Sequence, residues 1–392
     1  MNKKKGLWIS IPFLIIIFGF AITNVIAKDR ESSVSENRTL KQLPSLKDGN
    51  FTGEFESYYA DQFVLRDEFL KLYTKSQILS NKTKVRDYFV YEDKWILESP
   101  DVYIEDSKIK ESTEIINKYA KELSESGKDV YYISTPYKTN VLKHMYPKYI
   151  DSNISTDNKD RFLANLNKDY MTVVDLSKDF TERFDREKLE SLYFKTDHHW
   201  NSLGAYEGFK TIVESINKNS NENIEIKDED YDTYVLNNKP FSGSYNLNLY
   251  QVLSKNEEVP YVYRKGSENY ELRKSYDGTW FAPTETREVI ARFVNEDELT
   301  YAGSYTYDDH YYQLLNPNAL TDKKVLVIRD SYHAAMSWLL ADIFKEVEVV
   351  DPRHTAAVNL TSKEIIDRSS ADVVLFMYND LSATGVIPEL DK

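Results

Sequence analysis

The pattern of apolar and polar residues predicts alternating helices and strands over most of the chain. Ser107–Ser126 has an amphipathic helical repeat and is followed by Gly127, a residue that commonly ends helices. Asp129–Thr135 is a short apolar run that Pro136 terminates. Amphipathic helices that alternate with buried apolar strands are typical of an α/β fold, in which helices cover both faces of a parallel sheet.

Further apolar runs predict the other strands of this sheet. They are the run in "YMTVVDLS", Lys323–Ile328, Glu346–Val350 and Asp372–Tyr378. A helix around Asp160–Leu166 precedes the first of them, and helical segments separate the others. Residues 231–316 are rich in tyrosine and turn signals, so we expect an insertion of hairpins and loops on the α/β core.

The N-terminus carries an apolar segment without charges. Three lysines precede the 22 residues of the segment 6–27, and about 20 apolar residues suffice to cross a bilayer as a helix. The lysines are expected to stay on the cytoplasmic side. Val25 and Ala27 also fit a signal-peptide cleavage site, which leaves a cleaved and secreted form as the alternative. The length of the run favours an uncleaved anchor with the remaining chain outside the cytoplasm.

These patterns divide the chain into three parts. Residues 1–28 form the anchor or signal, and residues 29–85 form a stalk and a helical region that covers Phe51 to about Leu79. Residues 86–392 form the α/β domain, and "YFVYEDKWIL" at its start predicts a hairpin.

Composition limits the classes of function. The formal net charge of −14 argues against a nucleic-acid partner, because an anionic surface repels phosphates. The absence of cysteine excludes disulfides, thiolate metal sites and a cysteine nucleophile. The 30 tyrosines suit a surface on which sugars stack, although tyrosines also pack with only the hydroxyl at the rim.

Ser331 lies where a parallel strand should pass into a helix. The run "KKVLVIRDSYHAAMSWLLADIF" predicts a strand, a tight turn and a helix with one apolar face. Open α/β sheets bind ligands at the carboxyl edge of their strands, and free N–H groups at a helix start can stabilise an oxyanion. The simpler interpretation is that Asp330 or Ser331 only caps the helix.

The stretch "TDHHWN", residues 196–201, contains two of the six histidines. A helical repeat follows it, so the motif is a loop that enters a helix. In an extended segment, Asp197 and His199 project to one side. The carboxylate can then fix the tautomer of the imidazole, which a serine needs as its base near neutral pH.

A metal site is the main alternative at this motif, since carboxylate and imidazole bind metals. The histidines that could complete the set are His310, His333 and His354. We expect no metal, because adjacent side chains in an extended chain point apart and His198 and His199 would not reach one ion. A polar turn without chemistry is a further alternative.

Several segments resemble a known family. "YFKTDHHWNSLGAY" and "VLVIRDSYHAA" closely resemble the signature of the family named for its Asp-His-His-Trp motif. They are also similar to the alginate O-acetyltransferases and to bacterial cell-wall polysaccharide O-acetyltransferases. "SENRTLKQLPSL", "FESYYADQFVLRDEFLKLY" and "FSGSY" agree with this. The resemblance covers most of the chain beyond the apolar N-terminal segment.

The resemblance implies an SGNH-hydrolase-like three-layer fold with a Ser–His–Asp triad. Ser331 matches the nucleophile, His199 the base, and Asp197 the acid that orients the base. His198 would support the site or face solvent. The serine follows the Asp–His pair in the chain, as in the alginate-type enzymes, and Arg329 replaces the glycine of ordinary SGNH hydrolases.

The residues that complete the site are less well defined by the sequence. The Ser331 N–H is expected to be one oxyanion donor, and Gly243 and Asn379 are further candidates. Gly243 could instead make a turn, and Asn379 could cap one. Arg353 follows a strand end at the same rim, where a surface salt bridge is the alternative.

The expected function is extracytoplasmic O-acyl transfer, most simply O-acetyl transfer, to a polysaccharide hydroxyl through an acyl-serine. No metal or dissociable cofactor is required. By resemblance, the acyl donor is a multi-pass membrane acyltransferase. The alternatives are a carbohydrate acetyl esterase and a non-catalytic glycan-binding component of a polysaccharide export system.

Overall fold

The computed structural model describes most of the chain. The described residues are 3–36, 38–47, 49–220, 222–237, 239–266, 271–274, 298–305, 310–381 and 384–391, and residues 3–7, 9, 271–274, 356 and 357 are described by their backbone alone. The chain forms two compact units. The first comprises Met1–Arg86 and Asn246–Ser254, and the second comprises Asp87–Tyr245 and Lys255–Lys392.

The secondary structure of the described residues is as follows. Helices span Lys3–Ile26, Phe51–Gln62, Arg66–Leu79, Asp106–Glu125, Lys138–Val141, Ile154–Ala164, Leu176–Arg183, Arg186–Ser191, Ser202–Asn219, Ser244–Asn248, Tyr301–Ser304, Ser337–Ile343 and Ser362–Arg368. Short 3₁₀ helices span Lys143–Met145, Asp228–Asp230, Ser331–Met336, Pro352–Val358 and Ile387–Asp391. The strands are β1 Ser32–Ser33, β2 Arg38–Thr39, β3 Lys84–Val85, β4 Tyr88–Val90, β5 Ile96–Glu98, β6 Asp129–Thr135, β7 Thr172–Asp175, β8 Tyr231–Leu236, β9 Val259–Arg264, β10 Glu271–Lys274, β11 Tyr311–Leu315, β12 Thr321–Arg329, β13 Phe344–Val350 and β14 Val373–Asn379.

A seven-stranded sheet forms the centre of the second unit, in the order β10-β11-β13-β12-β14-β6-β7. The five strands from β13 to β7 run parallel, and β11 and β10 add antiparallel strands at one edge. The mostly parallel α/β sheet predicted from the alternating pattern is therefore confirmed.

Side chains from the two faces of the sheet enter two separate cores. On β12, Val325 and Val327 pack in one core, whereas Leu326 and Ile328 pack in the other. The helix Ser202–Asn219 covers the first face and the helix Asp106–Glu125 covers the second. A strand that is apolar at successive positions is therefore buried on both sides, which produces three layers.

The region predicted as a β-rich insertion is only partly separate from the core. β8 and β9 pair with each other as an antiparallel two-stranded sheet. β11 pairs with β13 and carries β10, so this part of the region extends the central sheet. Much of the predicted insertion, at residues 267–270, 275–297 and 306–309, lies outside the described residues.

Two features of the first unit add to the sequence interpretation. The segment Phe51–Leu79 is helical, as predicted, and is divided into two helices, because Phe63 has a ψ of 127° and Leu65 takes a left-handed φ of 61°. The apolar N-terminal segment is helical over Lys3–Ile26. Among the described residues, no helix combines the length and the apolar character needed to cross a membrane, so the predicted span is not shown.

Candidate active site

Ser331 lies two residues after the end of β12, at the first position of a 3₁₀ helix. Asp330 provides the cap, because its carboxylate accepts a hydrogen bond from the Tyr332 N–H at 2.9 Å. The other carboxylate oxygen of Asp330 accepts from the backbone and side-chain N–H groups of Asn379, both at 2.7 Å. Asp330 therefore caps the 3₁₀ helix, and the hydroxyl of Ser331 is available for a different contact.

Asp197 and His199 contact each other within a bend. The His199 Nδ1 lies 2.6 Å from Asp197 Oδ1, and the His199 backbone N–H donates to the same oxygen at 2.9 Å. The prediction of an extended segment is wrong, since residues 196–199 form bends. A short Asp side chain commonly accepts a hydrogen bond from the backbone two residues later, which closes such a bend.

Folding brings Ser331 to the opposite side of the same imidazole. The His199 Nε2 lies 2.8 Å from Ser331 Oγ, across 132 residues of sequence. Asp197 and His199 are buried. Burial alone would raise the pKa of Asp197, but the neighbouring histidines and its hydrogen bonds hold it well below its usual value. A carboxylate that stays ionised can hold the imidazole in the tautomer whose Nε2 accepts a proton.

Trp200 connects the motif to the segment that follows Ser331. Its indole N–H donates to the Tyr332 carbonyl at 2.8 Å, and the side chain is fully buried. The Tyr332 hydroxyl donates in return to the His198 carbonyl at 2.6 Å. Both loops of the site are thus fastened to each other by side chains next to the reacting residues.

His198 lies against His199 rather than away from it. The two rings are 3.6 Å apart between centroids at an angle of 36°, and His198 Nδ1 lies 2.7 Å from Ser244 Oγ. Burial and the neighbouring His199 lower the pKa of His198 to about 4. His198 is therefore neutral near neutral pH, and a protonated His199 meets no second cation there.

This arrangement predicts a pH dependence of stability. The pKa of His198 falls from 6.5 to about 4, so the unfolded chain binds more protons between these values and stability decreases as the pH is lowered through this range. The His198→Asn variant should lose less stability than the unsubstituted chain when urea unfolding is compared at both ends of the range. His333, whose pKa burial also lowers, contributes equally to both proteins. Identical pH dependences would contradict the prediction.

Gly243 and Ser244, in "FSGSY", hold Asp197 from the other side. The Ser244 backbone N–H donates to Asp197 Oδ2 at 2.7 Å. A Cβ at position 243 would lie 2.3 Å from the Thr196 carbonyl oxygen, so only glycine permits this approach. The structure thus places Gly243 in close backbone packing beside the site.

Gly243→Ala should therefore displace the loop that positions Asp197. We expect a loss of about 1–3 kcal/mol in the free energy of unfolding from overpacking, and acylation of Ser331 slower by roughly 10- to 100-fold from misplacement of the triad. Urea unfolding and the acylation rate measure the two effects. Gly385→Ala is the matched control, since its Cβ would meet no atom within 4 Å.

The sequence interpretation missed two charged residues beside the motif, the buried Lys138 and the partly buried Glu257. The Lys138 ammonium donates to the carbonyls of Ile96, Lys195 and Asp197 at 2.8–3.0 Å. Burial lowers the pKa of Lys138 to about 7, although nearby carboxylates oppose the shift. Glu257 accepts from the Thr196 hydroxyl at 2.6 Å and its backbone N–H at 3.2 Å. These contacts fix the backbone that carries the motif.

The remaining predicted site residues are engaged elsewhere. Asn379 donates to Asp330, as described above, and its side-chain oxygen accepts from the Leu381 N–H at 2.9 Å. Arg353 donates to both carboxylate oxygens of Asp351, at 2.9 and 2.6 Å. The structure therefore shows the salt bridge that was the alternative for Arg353.

Two groups of potential metal ligands occur in the described residues. One is the motif itself, and the other is His310, Asp351 and His354. In the motif, the carboxylate and both nitrogens of His199 already make the hydrogen bonds described above. Asp351 is paired with Arg353 and with the buried Arg329, so two guanidinium groups already engage its carboxylate. Neither arrangement favours a cation.

The fold and the site together define an SGNH-hydrolase-like α/β protein. Residues 89–289 match the family described as SGNH hydrolase-like domain, acetyltransferase AlgX. The chain belongs to this family. The match includes the Asp-His-His-Trp motif and ends before Ser331, so the nucleophile turn is assigned from the geometry.

Solved structures of related proteins have a similar fold. Bacillus cereus PatB1 is 30% identical, with a TM-score of 0.66, over 76% of this chain and 97% of that chain. The same protein with a sulfonyl adduct gives 28% identity and the same TM-score over 76% and 98%. A DHHW family protein from Eubacterium siraeum, 19% identical with a TM-score of 0.60 over 79% and 96%, shows the fold alone. No curated protein sequence matches the chain.

Proposed function

We propose that this chain is an O-acetyltransferase that carries the acetyl group on Ser331 and transfers it to a hydroxyl of a cell-surface or exported polysaccharide. The observation that carries the proposal is the 2.8 Å contact between Ser331 Oγ and His199 Nε2 in a chain of an acetyltransferase family. Ser331, His199 and Asp197 have the roles of nucleophile, base and orienting acid.

The first half-reaction acylates the serine. His199 Nε2 takes the Ser331 proton as Oγ attacks the acetyl carbonyl of the donor, and Asp197 stabilises the resulting imidazolium. The tetrahedral intermediate collapses when the bond to the leaving group breaks and His199 returns the proton to that group. The product is an acetyl ester on Ser331.

The second half-reaction repeats this sequence with a sugar. A hydroxyl of the acceptor loses its proton to His199 Nε2 and attacks the acetyl-serine carbonyl. The ester bond to Ser331 breaks, Oγ recovers the proton, and the acetylated sugar leaves. Transfer requires that the sugar outcompetes water, so glycan must bind beside the serine. The half-buried, neutral His198 is suited to contact the sugar there.

The sulfonyl adduct of the Bacillus cereus relative supports a nucleophilic site. Sulfonyl groups react with activated nucleophilic side chains, of which a serine paired with a histidine is a common example. A relative that forms such an adduct is consistent with the same chemistry in this chain.

We also propose that the chain works at the outer face of the cytoplasmic membrane beside a multi-pass membrane acyltransferase that supplies the acetyl group. Large apolar side chains of the helix Lys3–Ile26 are exposed, among them Trp8, Phe13 and Ile15 at 81%, 60% and 65%. Contiguous exposed apolar surface of this kind is typical of a segment that contacts lipid or protein. The three lysines at the start of this helix favour retention of the N-terminus in the cytoplasm.

An activated acetyl ester offered with and without an oligosaccharide tests the proposed function. We expect acetylated oligosaccharide by mass spectrometry, and slower release of free acetate when the acceptor is present. Free acetate alone would indicate an esterase, which the same triad can support. If neither free acetate nor an acyl-enzyme forms, the result would indicate a non-catalytic glycan-binding protein.

A further inference from the structure

The imidazole of His199 lies between two other rings. The ring of Tyr301 is parallel to it, 3.6 Å away between centroids at an angle of 4°. His198 is also 3.6 Å away, at an angle of 36°. Two rings cannot occupy one face of an imidazole at this distance, so Tyr301 and His198 cover opposite faces. The base can tilt toward neither face.

The hydroxyl of Tyr301 reaches the nucleophile. It donates to the backbone carbonyl of Ser331 at 3.0 Å and lies 3.4 Å from the Tyr332 carbonyl. Burial raises the pKa of Tyr301 well above its usual value, so the phenol stays protonated and keeps donating. One side chain therefore contacts both the base and the backbone of the nucleophile.

Tyr301 is itself held by the segment that orients Asp197. Thr300 caps the short helix that begins at Tyr301, and its hydroxyl accepts from the Gly303 N–H at 3.0 Å. The preceding Leu299 exchanges backbone hydrogen bonds with the strand-like segment 240–242, at 2.7 and 2.8 Å. That segment leads directly to Gly243 and Ser244. The backbone of residues 240–244 therefore helps to position all three members of the triad, Asp197 directly and His199 and Ser331 through Tyr301.

We propose that Tyr301 is a positioning residue of the acyl-transfer reaction, whose ring stabilises protonated His199 and whose hydroxyl fixes Ser331. The inference rests on the proposed function of the triad. An aromatic face attracts a cation, and this attraction arises only when His199 has accepted the proton from serine. The hydroxyl acts in every state, because it restrains the turn that aims Ser331 Oγ at Nε2.

Two substitutions separate these contributions. Tyr301→Leu removes ring and hydroxyl, whereas Tyr301→Phe keeps the ring and removes the hydroxyl. We expect acetylation of Ser331 by an activated acetyl ester to be about 2- to 30-fold slower in the leucine variant from loss of the ring alone. The phenylalanine variant keeps the contribution of the ring, and its acetylation rate should be roughly fivefold below that of the unsubstituted chain because the hydroxyl is lost.

Tyr261→Phe is the matched control. Tyr261 is fully buried and its hydroxyl also donates to one backbone carbonyl, that of Ser304 at 2.7 Å. Each variant is compared by thermal unfolding, so that a rate is assigned only to folded protein. Equal acylation rates for all variants, or a Tyr261→Phe loss as large as that of Tyr301→Phe, would overturn the inference.

A second measurement does not require activity. The short hydrogen bond from His199 Nδ1–H to Asp197 should give a downfield proton resonance, and the ring of Tyr301 contributes a ring-current shift to it. Tyr301→Leu should move this resonance, and Tyr301→Phe should leave it nearly in place. If the unsubstituted chain forms no acetyl-serine, the proposed function fails, whereas an unchanged resonance in Tyr301→Leu rejects the role of Tyr301.

Discussion

The Ser331→Ala variant is expected to form no covalent adduct with an activated acetyl ester or a sulfonyl fluoride, and to lose acetyl transfer by on the order of 10⁴-fold or more. The reason is that Ser331 Oγ is the hydroxyl held 2.8 Å from His199 Nε2. Alanine removes the attacking oxygen and leaves the buried Asp330 cap unchanged, so the fold should persist. Intact-mass analysis of the protein after incubation measures the adduct directly.

Ser337→Ala is the matched control for Ser331→Ala. Ser337 is buried and its hydroxyl is 3.4 Å from the Ala334 carbonyl, within the helical segment that follows the nucleophile. Ser337→Ala should keep the adduct, and peptide mapping should place the adduct on Ser331 in both the control and the unsubstituted chain. An adduct that survives Ser331→Ala would exclude Ser331 as the nucleophile.

Asp197→Asn should have the second-largest effect, with acylation reduced by about 10⁴-fold and the free energy of unfolding lowered by about 1–3 kcal/mol, because the amide N–H faces a buried N–H donor. Both carboxylate oxygens accept hydrogen bonds, Oδ1 from His199 and Oδ2 from the Ser244 N–H. An asparagine amide has one acceptor oxygen, so it can accept from His199 or from the Ser244 N–H but not from both. Its NH₂ group then faces the remaining donor. If that N–H faces His199, the imidazole takes the tautomer whose Nε2 carries a proton and cannot accept one from serine.

Pre-steady-state acylation measures this loss, and urea unfolding shows whether the variant is folded. Asp342→Asn is the matched control, because Asp342 is a buried carboxyl whose pKa burial raises well above its usual value. An amide replaces such a neutral acid at little cost, so the control should acylate normally. A normal rate in Asp197→Asn would show that His199 needs no anionic partner.

The central strands were predictable because burial on both faces leaves a signal in the local sequence. β12 and β14 are runs of apolar residues that serve one core at odd positions and the other at even positions. Such runs, bounded by polar turns, indicate parallel strands without any knowledge of their neighbours. The break at Phe63–Leu65 carries no comparable signal, since neither glycine nor proline marks it.

The pairing of Ser331 with His199 was expected from the family resemblance and from the carboxyl-edge rule for α/β sheets, and the geometry agrees with it. The supporting residues were not predictable in this way. Lys138, Glu257 and Tyr301 act through contacts with residues far away in the chain, and no local spacing distinguishes them from ordinary surface residues. The role of Ser244 is also hidden, because its backbone N–H is the donor and any residue type except proline could supply it.

The position of β14 has a consequence for when the site can exist. β14 pairs with β12, which carries the nucleophile, and with β6, which leads to Lys138 beneath the motif. Both neighbours are synthesised before β14, yet they do not pair with each other and reach their final spacing only after it inserts. We therefore expect a nascent or partly unfolded chain to become acylated only after residues 373–379 have paired with both neighbours.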